Sequence, residues 1–425
     1  MESDIVIVGS GVAGLYSALK LPKDKKITII TKTSADECDS FLAQGGICVK
    51  RDDKDFQSFF EDTLKAGHHE NDIKSVELMI ENSRKIINDL ISYGVDFTKK
   101  DNKLDYTKEG AHSKPRILYH LDITGEEITK KLLQAVVTQN NITLLEHTQM
   151  VDIIEEKNTC YGVVLRDSNN NIVNLYANHI ILATGGIGGV YSNTTNFPHL
   201  TGDSLAIALK HNIKLKNPDY VQIHPTSLYT KKPGRSFLIT ESVRGEGGIL
   251  LDNKGHRFTD ELKPRDIVSK AIINQMKKDN TEYVLLSFEN IDNNTIENHF
   301  PNIYKKCLDE GYDITKEPIP VVPAQHYYMG GIAVDYNSQT SMNNIYAVGE
   351  TSCNGVHGKN RLASNSLLEA LVFAELAATH IIEKISHSSF PSIEVKAADE
   401  QVFPVDDPII KSKLINIVKG IEKYE

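Results

Sequence analysis

An α/β fold of two domains is predicted by three features of this 425-residue sequence. The N-terminal segment DIVIVGSGVAGLYSALKL has the pattern of a strand, a glycine turn and a helix. A strand–turn pattern returns after residue 327, in IYAVGE. Between residues 217 and 326 the sequence instead mixes strand and loop material with a helical stretch, and a chain of this length exceeds a single hydrophobic core.

These features divide the chain into three predicted parts. Residues 1–216 and 327–392 form a Rossmann-like dinucleotide-binding domain, and residues 217–326 form an α+β capping domain inserted into it. Residues 393–425 are expected to begin a truncated C-terminal helical region, which leaves a short helical remnant.

Individual elements follow from local patterns. Residues 73–93 predict an amphipathic helix that ends at Gly94. Thr124, with Glu127 three residues later, predicts a capping box at the start of another helix. Residues 367–382 are apolar but contain two glutamates and a histidine, so they predict a core helix rather than a membrane span.

Composition and charge exclude several classes of protein. The net charge of −10 argues against nucleic-acid binding and provides no basic segment for a membrane surface. Five cysteines are scattered without a CxxC pair, which suits a reducing cytoplasm and argues against a structural metal site. The N-terminus enters a strand directly, so we expect no signal peptide and a cytoplasmic location.

The motif GSGVAG at residues 9–14 predicts a dinucleotide-binding turn. Its first glycine fits the tight turn, the second lets the backbone approach a pyrophosphate, and the third packs the helix on the strand. The pyrophosphate would lie at the helix N-terminus, where free N–H groups favour anions. Such a motif alone is weak evidence, but here a strand and a helix flank it as binding requires.

The second strand of such a domain normally ends in Asp or Glu, which binds the adenosine ribose. This sequence has Thr31 at that position, followed by Lys32. The hydroxyl of Thr31 can still bond to a ribose oxygen, and Lys32 can lie near phosphate or adenine. The departure weakens the prediction that the cofactor is NAD.

Two later features favour a flavin dinucleotide. Glu350 follows a strand and a glycine, which matches the position where an acidic side chain binds the ribityl hydroxyls of FAD. A helix opens within residues 364–367, and its N-terminus would stabilise negative charge on a reduced isoalloxazine. A simple helix cap would explain Ser364 alone but explains the combination poorly.

Ordered motifs along nearly the whole chain resemble the flavoprotein family of fumarate reductases, succinate dehydrogenases and L-aspartate oxidases. They are GSGVAG, AQGG, ATGG, TGDS, HPT, TESVRGEGG, PRDIV, HYYMGGIAVD, AVGE and HGKNRLASNSLLEAL. Chance does not produce agreement at so many ordered motifs.

The resemblance implies FAD as the cofactor. Respiratory members place a histidine, which bonds covalently to FAD, where this chain has Asp39, so non-covalent FAD is implied. The implied cofactor-binding residues are Gly9, Ser10, Gly11, Val12, Ala13, Gly14, Lys32, Asp39, Ser40, Phe41, Leu42, Ala43, Gln44, Gly45, Gly46, Asp203, Glu350, Ser366 and Leu367.

The resemblance also implies a site for a four-carbon dicarboxylate, in which planar arginine side chains would bind carboxylates. Arg361, His326 and His224 would hold the carboxylates, and Thr240 would donate its hydroxyl. Taken singly, each would more commonly be a surface, cap or core residue. The implied site residues are Glu109, His224, Thr240, Glu241, Arg244, Arg265, His326 and Arg361.

Two of these residues carry specific expectations. The family uses the arginine at the position of Arg265 for proton transfer, although a guanidinium pKa normally lies far too high, and Arg244 is expected to pair with Glu241. Glu109 lies in the loop KEGAHS, which matches the aspartate-oxidising members, whereas respiratory members carry a glutamine there. It would pair with a substrate ammonium; the alternative is a solvated loop carboxylate.

Together these features predict FAD-dependent oxidation of L-aspartate to iminoaspartate by hydride transfer to flavin N5, with oxygen or fumarate as acceptor. The resemblance implies the first step of NAD biosynthesis through quinolinate, with functional coupling to quinolinate synthase. A soluble fumarate reductase or succinate-oxidising flavoprotein is the alternative. An electron-transfer subunit that docks on an iron–sulfur partner is disfavoured by Asp39.

Overall fold

A computed structural model describes residues 1–232, 234–385 and 403–418. The helices are α1 (Val12–Lys20), α2 (Phe56–Ala66), α3 (Ile73–Ser92), α4 (Thr124–Val137), α5 (Asp203–Lys210), α6 (Glu241–Gly245), α7 (Arg265–Asp279), α8 (Asn293–His299), α9 (Pro301–Asp309), α10 (Asn365–Ile385) and α11 (Pro408–Val418).

Strands are distributed along the whole described chain. They are β1 (Glu2–Val8), β2 (Ile27–Ile30), β3 (Ile47–Cys48), β4 (Lys99–Lys100), β5 (Lys103–Leu104), β6 (Ile117–Leu118), β7 (Ile142–Leu145), β8 (Gln149–Glu156), β9 (Thr159–Arg166), β10 (Ile172–Leu182), β11 (Leu215–Lys216), β12 (Val221–Leu228), β13 (Ile249–Leu251), β14 (Val284–Ser287), β15 (Ile319–Tyr328), β16 (Gly331–Ala333), β17 (Ile345–Ala347) and β18 (Ser352–Cys353).

The largest sheet has the order β7-β2-β1-β10-β9-β8, and β17 also pairs with β10. Four pairs in this sheet are parallel: β7–β2, β2–β1, β1–β10 and β10–β17. The pairs β10–β9 and β9–β8 are antiparallel. Helices α1 and α10 pack together in the apolar core that covers one face. The predicted α/β class is therefore confirmed, and the carboxyl end of β1 leads into the glycine turn.

A second sheet, β12-β15-β14-β13, is antiparallel and lies almost wholly within residues 217–326, which the sequence predicts to be an inserted region. It has its own hydrophobic cluster, made by residues between 228 and 321 and including Ile239, Val268 and Phe300. Strands β12 and β15 carry His224 and His326, so this sheet presents two predicted site residues to the flavin-domain side.

Helix α10 contains the apolar segment that was predicted to be a core helix. Its length and composition would suffice to cross a bilayer, yet 72% of that stretch is buried inside the protein. Its first residues, Asn365 and Leu367, lie beside the predicted site, and the rest packs on α1 and α3. The core-helix interpretation is consistent with this burial.

One local prediction is wrong. Helix α4 begins at Thr124 itself, and no side chain caps it. The Thr124 hydroxyl instead donates to the Gly45 carbonyl at 3.2 Å, and Glu127 Oε1 accepts the Asp96 N–H at 3.0 Å. Tertiary partners have replaced the capping box, because the start of α4 supports the AQGG loop. Helix α3 ends at Ser92, shortly before Gly94, as predicted.

The C-terminal prediction is covered only in part. Helix α11 lies within the predicted helical region and packs against α5. Residues 386–402 and 419–425 lie outside the described residues, so the parts of the predicted remnant that fall there are not covered.

Candidate cofactor and substrate site

The glycine turn after β1 opens one end of a long cavity between the two sheets. Gly9 has φ +114°, and a Cβ there would lie 2.1 Å from the carbonyl oxygen of Ala183. No side chain caps the N-terminus of α1, and only the Val12 N–H reaches a side chain, Ser40 Oγ, at 3.3 Å. The turn thus leaves backbone donors directed at the cavity, as a pyrophosphate requires.

The end of β2 supplies the next part of the cavity wall. Ser10 Oγ donates to Thr31 Oγ1 at 3.1 Å, and Lys32 Nζ lies 2.7 Å from Asp203 Oδ2. The hydroxyl and the lysine that replace the usual acidic residue are thus joined to neighbours on the same wall. Because Asp203 neutralises Lys32, this pair offers hydrogen bonds rather than net positive charge.

Two carboxyl groups and an amide line the middle of the cavity. Asp39 accepts the Phe197 N–H at 3.0 Å through Oδ1, while its buried Oδ2 and the buried Gln44 Oε1 have no partner among the described residues. Burial raises the pKa of Asp39 to about 7 and, together with the charge of Asp39, raises the pKa of Glu350 to about 8. These groups await hydrogen-bond donors from a polar ligand, so the residues present fit FAD.

Arginine and glutamate side chains meet at the other end of the cavity. Arg265 Nε donates to Glu241 Oε2 at 2.6 Å, and Arg244 Nη2 lies 3.3 Å from the same oxygen. All three residues are buried, at 6%, 2% and 2% exposed respectively. Burial alone would raise the pKa of Glu241, but Arg265 and Arg244 outweigh it and lower that pKa. The carboxylate is therefore held ionised.

Gln222 connects the two arginines of the site. Its Oε1 accepts from Arg265 Nη1 at 2.9 Å and from Arg361 Nε at 3.3 Å. Arg361 also donates to Ser366 Oγ and lies over the Tyr327 ring, 4.2 Å from its centroid. Among the described residues no carboxylate lies within 4 Å of Arg361, so this buried cation is available to an anionic ligand. Burial, then the charge of Arg265, lowers the pKa of Arg361 to about 10.

Two histidines also line this end of the cavity. The rings of His224 and His326 pack edge to face at 5.1 Å between centroids. Thr195 Oγ1 lies 2.7 Å from His326 Nδ1, and the Thr226 N–H donates to His224 Nδ1 at 3.2 Å. Burial and Arg265 lower both histidine pKa values well below the usual range. Both shifts favour the neutral rings, and the buried Nε2 of His224 has no partner among the described residues, so it can bond to a ligand.

Glu109 lies in the same cavity and is only 2% exposed. Ser242 Oγ donates to Oε1 at 2.9 Å, and Ser364 Oγ donates to Oε2 at 2.5 Å. Burial raises its pKa, and the negative charge of Glu241 raises it further. Within the described part of the chain, no lysine, arginine or histidine lies within ion-pairing distance of this carboxylate. The solvated-loop alternative is wrong, because the side chain is buried.

The cavity gathers nearly all of the residues predicted from the sequence. The exceptions are Gly14, Phe41 and Arg244, which do not line it. Gly14 packs α1 on the glycine turn, Phe41 lies beneath Lys130 at 5.5 Å, and Arg244 stands behind Glu241. Thr240 lines the cavity and caps α6, accepting the Ser242 N–H at 3.4 Å.

Several residues in or beside the cavity were not among the predicted site residues. Gln222, Thr195, Ser242 and Ser364 orient the predicted side chains, and Arg235 faces Asp39 from the capping side. Gln222 lies two residues before the motif HPT, and Ser242 and Ser364 lie within the motifs TESVRGEGG and HGKNRLASNSLLEAL, which is the sequence signal that these three residues offer. Among the described residues, no group of three His, Cys, Asp or Glu side chains could hold a metal ion.

Comparison with known proteins identifies the family of this chain. The family described as FAD binding domain matches residues 4–367. The L-aspartate oxidase of Clostridium perfringens is 54% identical over 380 residues, which cover 89% of this chain and 86% of the relative. That of Clostridium acetobutylicum is 49% identical over 388 residues, covering 91% and 89%. The quinol fumarate reductase of E. coli superposes with a TM-score of 0.85 at 29% identity, covering 100% of this chain and 74% of that one.

Proposed function

The chain belongs to the FAD-binding flavoprotein family that includes the L-aspartate oxidases, and from this we infer that it is an enzyme that oxidises L-aspartate to iminoaspartate. FAD, when bound, would supply the acceptor for the hydride that leaves Cα, and the α-ammonium would give up one proton to the Glu109 carboxylate, so that the C=N bond of iminoaspartate can form. Oxygen or fumarate would then reoxidise the flavin. The residues of this chain bind, orient and shield the substrate.

The observation that carries the proposal is the buried carboxylate of Glu109. It shares one cavity with Arg265 and Arg361, and none of the described residues gives it a cationic partner. Aspartate brings an α-ammonium as well as two carboxylates, whereas fumarate and succinate bring only the carboxylates. A cavity of arginines and histidines alone would repel the ammonium, and Glu109 offsets that repulsion.

Arg361 and the neutral histidines are proposed to bind the carboxylates. Arg361 offers a planar set of donors, and His224 offers its buried Nε2, which has no partner among the described residues. His326 is fixed by Thr195 at 2.7 Å, and Thr240 adds a hydroxyl from the capping region. A dicarboxylate needs more than one anion-binding group, and Arg361 and the two histidines share one cavity.

Arg265 is proposed to act at the reacting carbon as a hydrogen-bonding and proton-holding group. Glu241, ionised between Arg265 and Arg244, stabilises the charged guanidinium and fixes its direction. Gln222 accepts from both Arg265 and Arg361 through one oxygen, so the positions of the two guanidinium groups are linked. The same arrangement would serve fumarate reduction, which is why Glu109 decides between the two functions.

We propose that the domain boundaries predicted from the sequence describe the working parts. Residues 217–326 would act as the cap, supported by their own hydrophobic cluster, and would exclude water from the substrate. The enzyme would act in the cytoplasm. Its product would pass to quinolinate synthase in NAD biosynthesis.

The proposal is tested by Glu109→Gln. This variant should lose most aspartate oxidation, because the ammonium loses its ionic partner, while fumarate reduction with a reduced dye should persist or improve. Both activities are measured on one preparation after its FAD content is matched to the wild type. Equal loss of both activities, or no change in either, would reject Glu109 as the ammonium ligand and favour a fumarate reductase.

We further propose that FAD is held without a covalent bond. A carboxylate, Asp39, occupies the position of the linking histidine. Acid or heat denaturation should therefore release all flavin absorbance into the supernatant. Flavin that remains with the precipitated protein would contradict this proposal.

A further inference from the structure

The carboxylate of Glu109 is held by two hydroxyl groups, one on each oxygen. Ser242 Oγ lies 2.9 Å from Oε1, and Ser364 Oγ lies 2.5 Å from Oε2. All three side chains are buried, at 2%, 1% and 8% exposed for Glu109, Ser242 and Ser364. Neither serine has another role in the binding of substrate described above.

We propose that Ser242 and Ser364 are positioning residues that fix the Glu109 carboxylate toward the substrate ammonium and thereby set the preference for aspartate over fumarate. The inference rests on the proposed function and deepens it, since it assigns the supports of the specificity-determining carboxylate. It concerns side chains that act through Glu109 and not on the substrate itself.

The two serines belong to different parts of the protein. Ser242 lies in α6 of the inserted region, and Ser364 immediately precedes α10, the helix beside the flavin end of the cavity. The two hydrogen bonds therefore hold Glu109 between the cap and the cofactor domain. The orientation of the Glu109 carboxylate therefore depends on how the inserted region packs against the cofactor domain.

The backbone around Glu109 is attached to the same two parts. Thr107 Oγ1 donates to Glu246 Oε1 at 3.1 Å, and the Ala111 N–H donates to the Leu262 carbonyl at 3.1 Å, both in the inserted region. His112 Nε2 lies 3.1 Å from the Ala363 carbonyl, next to Ser364. The loop is thus fixed on both sides, and only the side-chain torsions of Glu109 remain to be set by the serines.

Neutral hydroxyls suit this task better than cations would. A lysine or arginine on Glu109 would neutralise the charge that the ammonium needs, whereas a hydroxyl orients the carboxylate and leaves its charge intact. The conformation of Ser364 supports a requirement for that residue, because it has φ +61°, in the left-handed region that favours glycine. A glycine there would relieve the strain but would remove the donor.

The serines also favour the charged form of Glu109. Burial and Glu241 raise its pKa, while Ser364, Arg265 and Ser242 act in the opposite direction. Arg244, Arg361 and the Cys48 thiol also face this carboxylate. Loss of either hydroxyl should raise the Glu109 pKa, so the acidic limb of the pH profile for aspartate should move to higher pH.

The test is a double-mutant cycle in the FAD-loaded enzyme. Ser242→Ala and Ser364→Ala should each lower kcat/KM for aspartate by about tenfold, since each removes a hydrogen bond to a charged group. The ratio of aspartate oxidation to fumarate reduction should fall by the same factor in each variant. In a Glu109→Gln background the same substitutions should add almost nothing to the loss. Ser242→Thr, which keeps the hydroxyl, should restore the ratio.

Ser338→Ala is the matched control for Ser364→Ala. Ser338 is also a buried serine with φ +62°, but its hydroxyl donates to the Phe373 carbonyl, away from the cavity. It should leave the ratio and the pH profile unchanged. An equal change in the ratio from this control would assign the effect to general loss of packing and overturn the proposal.

A measurement without substrate separates this inference from the proposed function. The carboxyl stretch of Glu109, identified by its absence in Glu109→Gln, should titrate at higher pH in both serine variants. If it does so while the wild type fails to oxidise aspartate, the proposed function is wrong and the serine support stands. Additive losses in the Glu109→Gln background, or an unshifted carboxyl titration, would overturn the inference. If Ser364→Ala does not fold, Ser242→Ala decides.

Discussion

The cofactor end and the substrate end of the cavity are built from different chemical groups. The cofactor end is formed largely by backbone, in the glycine turn after β1, the start of α1 and the AQGG loop. The substrate end is formed by buried side chains, above all Arg265, Arg361 and Glu109, which come from distant parts of the sequence.

This difference means that the two ends are sensitive to different changes. The cofactor end depends on space, because a single added methyl group would collide with backbone. The substrate end depends on charge and orientation, because each arginine or glutamate is fixed by one or two hydrogen bonds. Substitutions can therefore separate cofactor binding from substrate specificity.

The largest effect is expected at the glycine turn. Gly9→Ala would place a Cβ 2.1 Å from the Ala183 carbonyl oxygen at φ +114°, so β1, β10 and the turn must move apart. We expect complete loss of FAD, measured as the ratio of flavin to protein absorbance. Gly255→Ala is the control, because φ is +82° there but no atom lies within 4 Å of the added Cβ. It should cost about 1–2 kcal/mol of stability and keep FAD. Normal FAD content in Gly9→Ala would contradict the steric account.

Arg361→Leu is expected to weaken substrate binding and to keep FAD, the reverse of the effect expected for Gly9→Ala. The variant keeps the cavity wall but loses the unpaired buried cation, so FAD should remain bound while aspartate binding weakens. A charge-assisted hydrogen bond contributes about 1.5–3 kcal/mol, so removing each such bond should weaken binding by roughly ten- to a hundredfold. Steady-state kinetics with aspartate would measure the loss. Arg361→Lys, which keeps the charge without the planar fork, should recover part of it, and near-normal kinetics for Arg361→Leu would assign Arg361 a structural role.

Gly45→Ala tests whether the two ends are as separate as their chemistry suggests. Gly45 belongs to the AQGG loop of the cofactor end, yet a Cβ there would lie 2.3 Å from Glu109 Oε1. At that distance the carboxylate must move. The added methyl group should therefore displace it from its hydrogen bonds to Ser242 and Ser364. We expect roughly a tenfold loss in kcat/KM for aspartate, as for the removal of one hydrogen bond to a charged group, with FAD still bound. Loss of FAD with unchanged specificity in the remaining holoenzyme would place Gly45 in the cofactor end alone.

The same contrast explains what the sequence could predict. The glycine turn, β1 and α1 are local, so the residues that make them are adjacent and their steric demands are visible in the motif. Glu109, His224, Arg265 and Arg361 meet only because the inserted sheet is folded over the flavin domain. Their roles were therefore predicted from a family resemblance, and local spacing gave no geometry for them.

The residues that were missed are supports rather than ligands. Gln222 joins two arginines through one oxygen, and Thr195 fixes His326. Arg361 lies 139 positions from Gln222 in the chain, and His326 lies 131 positions from Thr195. A glutamine or threonine has no pattern that reveals such a partner. The capping box at Thr124 failed for the same reason, because a carbonyl 79 positions away, on Gly45, accepts its hydroxyl.

The smallest effect is expected at Asp39, where the cofactor end does depend on a charge. Burial raises the pKa of this carboxyl from about 3.8 to about 7, so the folded protein holds the proton more tightly than the unfolded chain does. The stability from this proton is fully present below about pH 4, is lost as the pH rises toward 7, and changes no further above that.

Asp39→Asn removes this pH-dependent loss of stability, because the amide does not ionise. The melting temperature of the FAD-free variant, relative to the FAD-free wild type, should therefore rise between pH 4 and 7 by on the order of a few degrees and then level off. Glu350 is present in both proteins, and its pKa of about 8 is raised partly by the charge of Asp39. Asp24→Asn, at a side chain that is 77% exposed, should show no such trend. A difference that stays constant from pH 4 to 8 would mean that Asp39 is ionised throughout, and the cofactor end would then carry a fixed negative charge as the substrate end does.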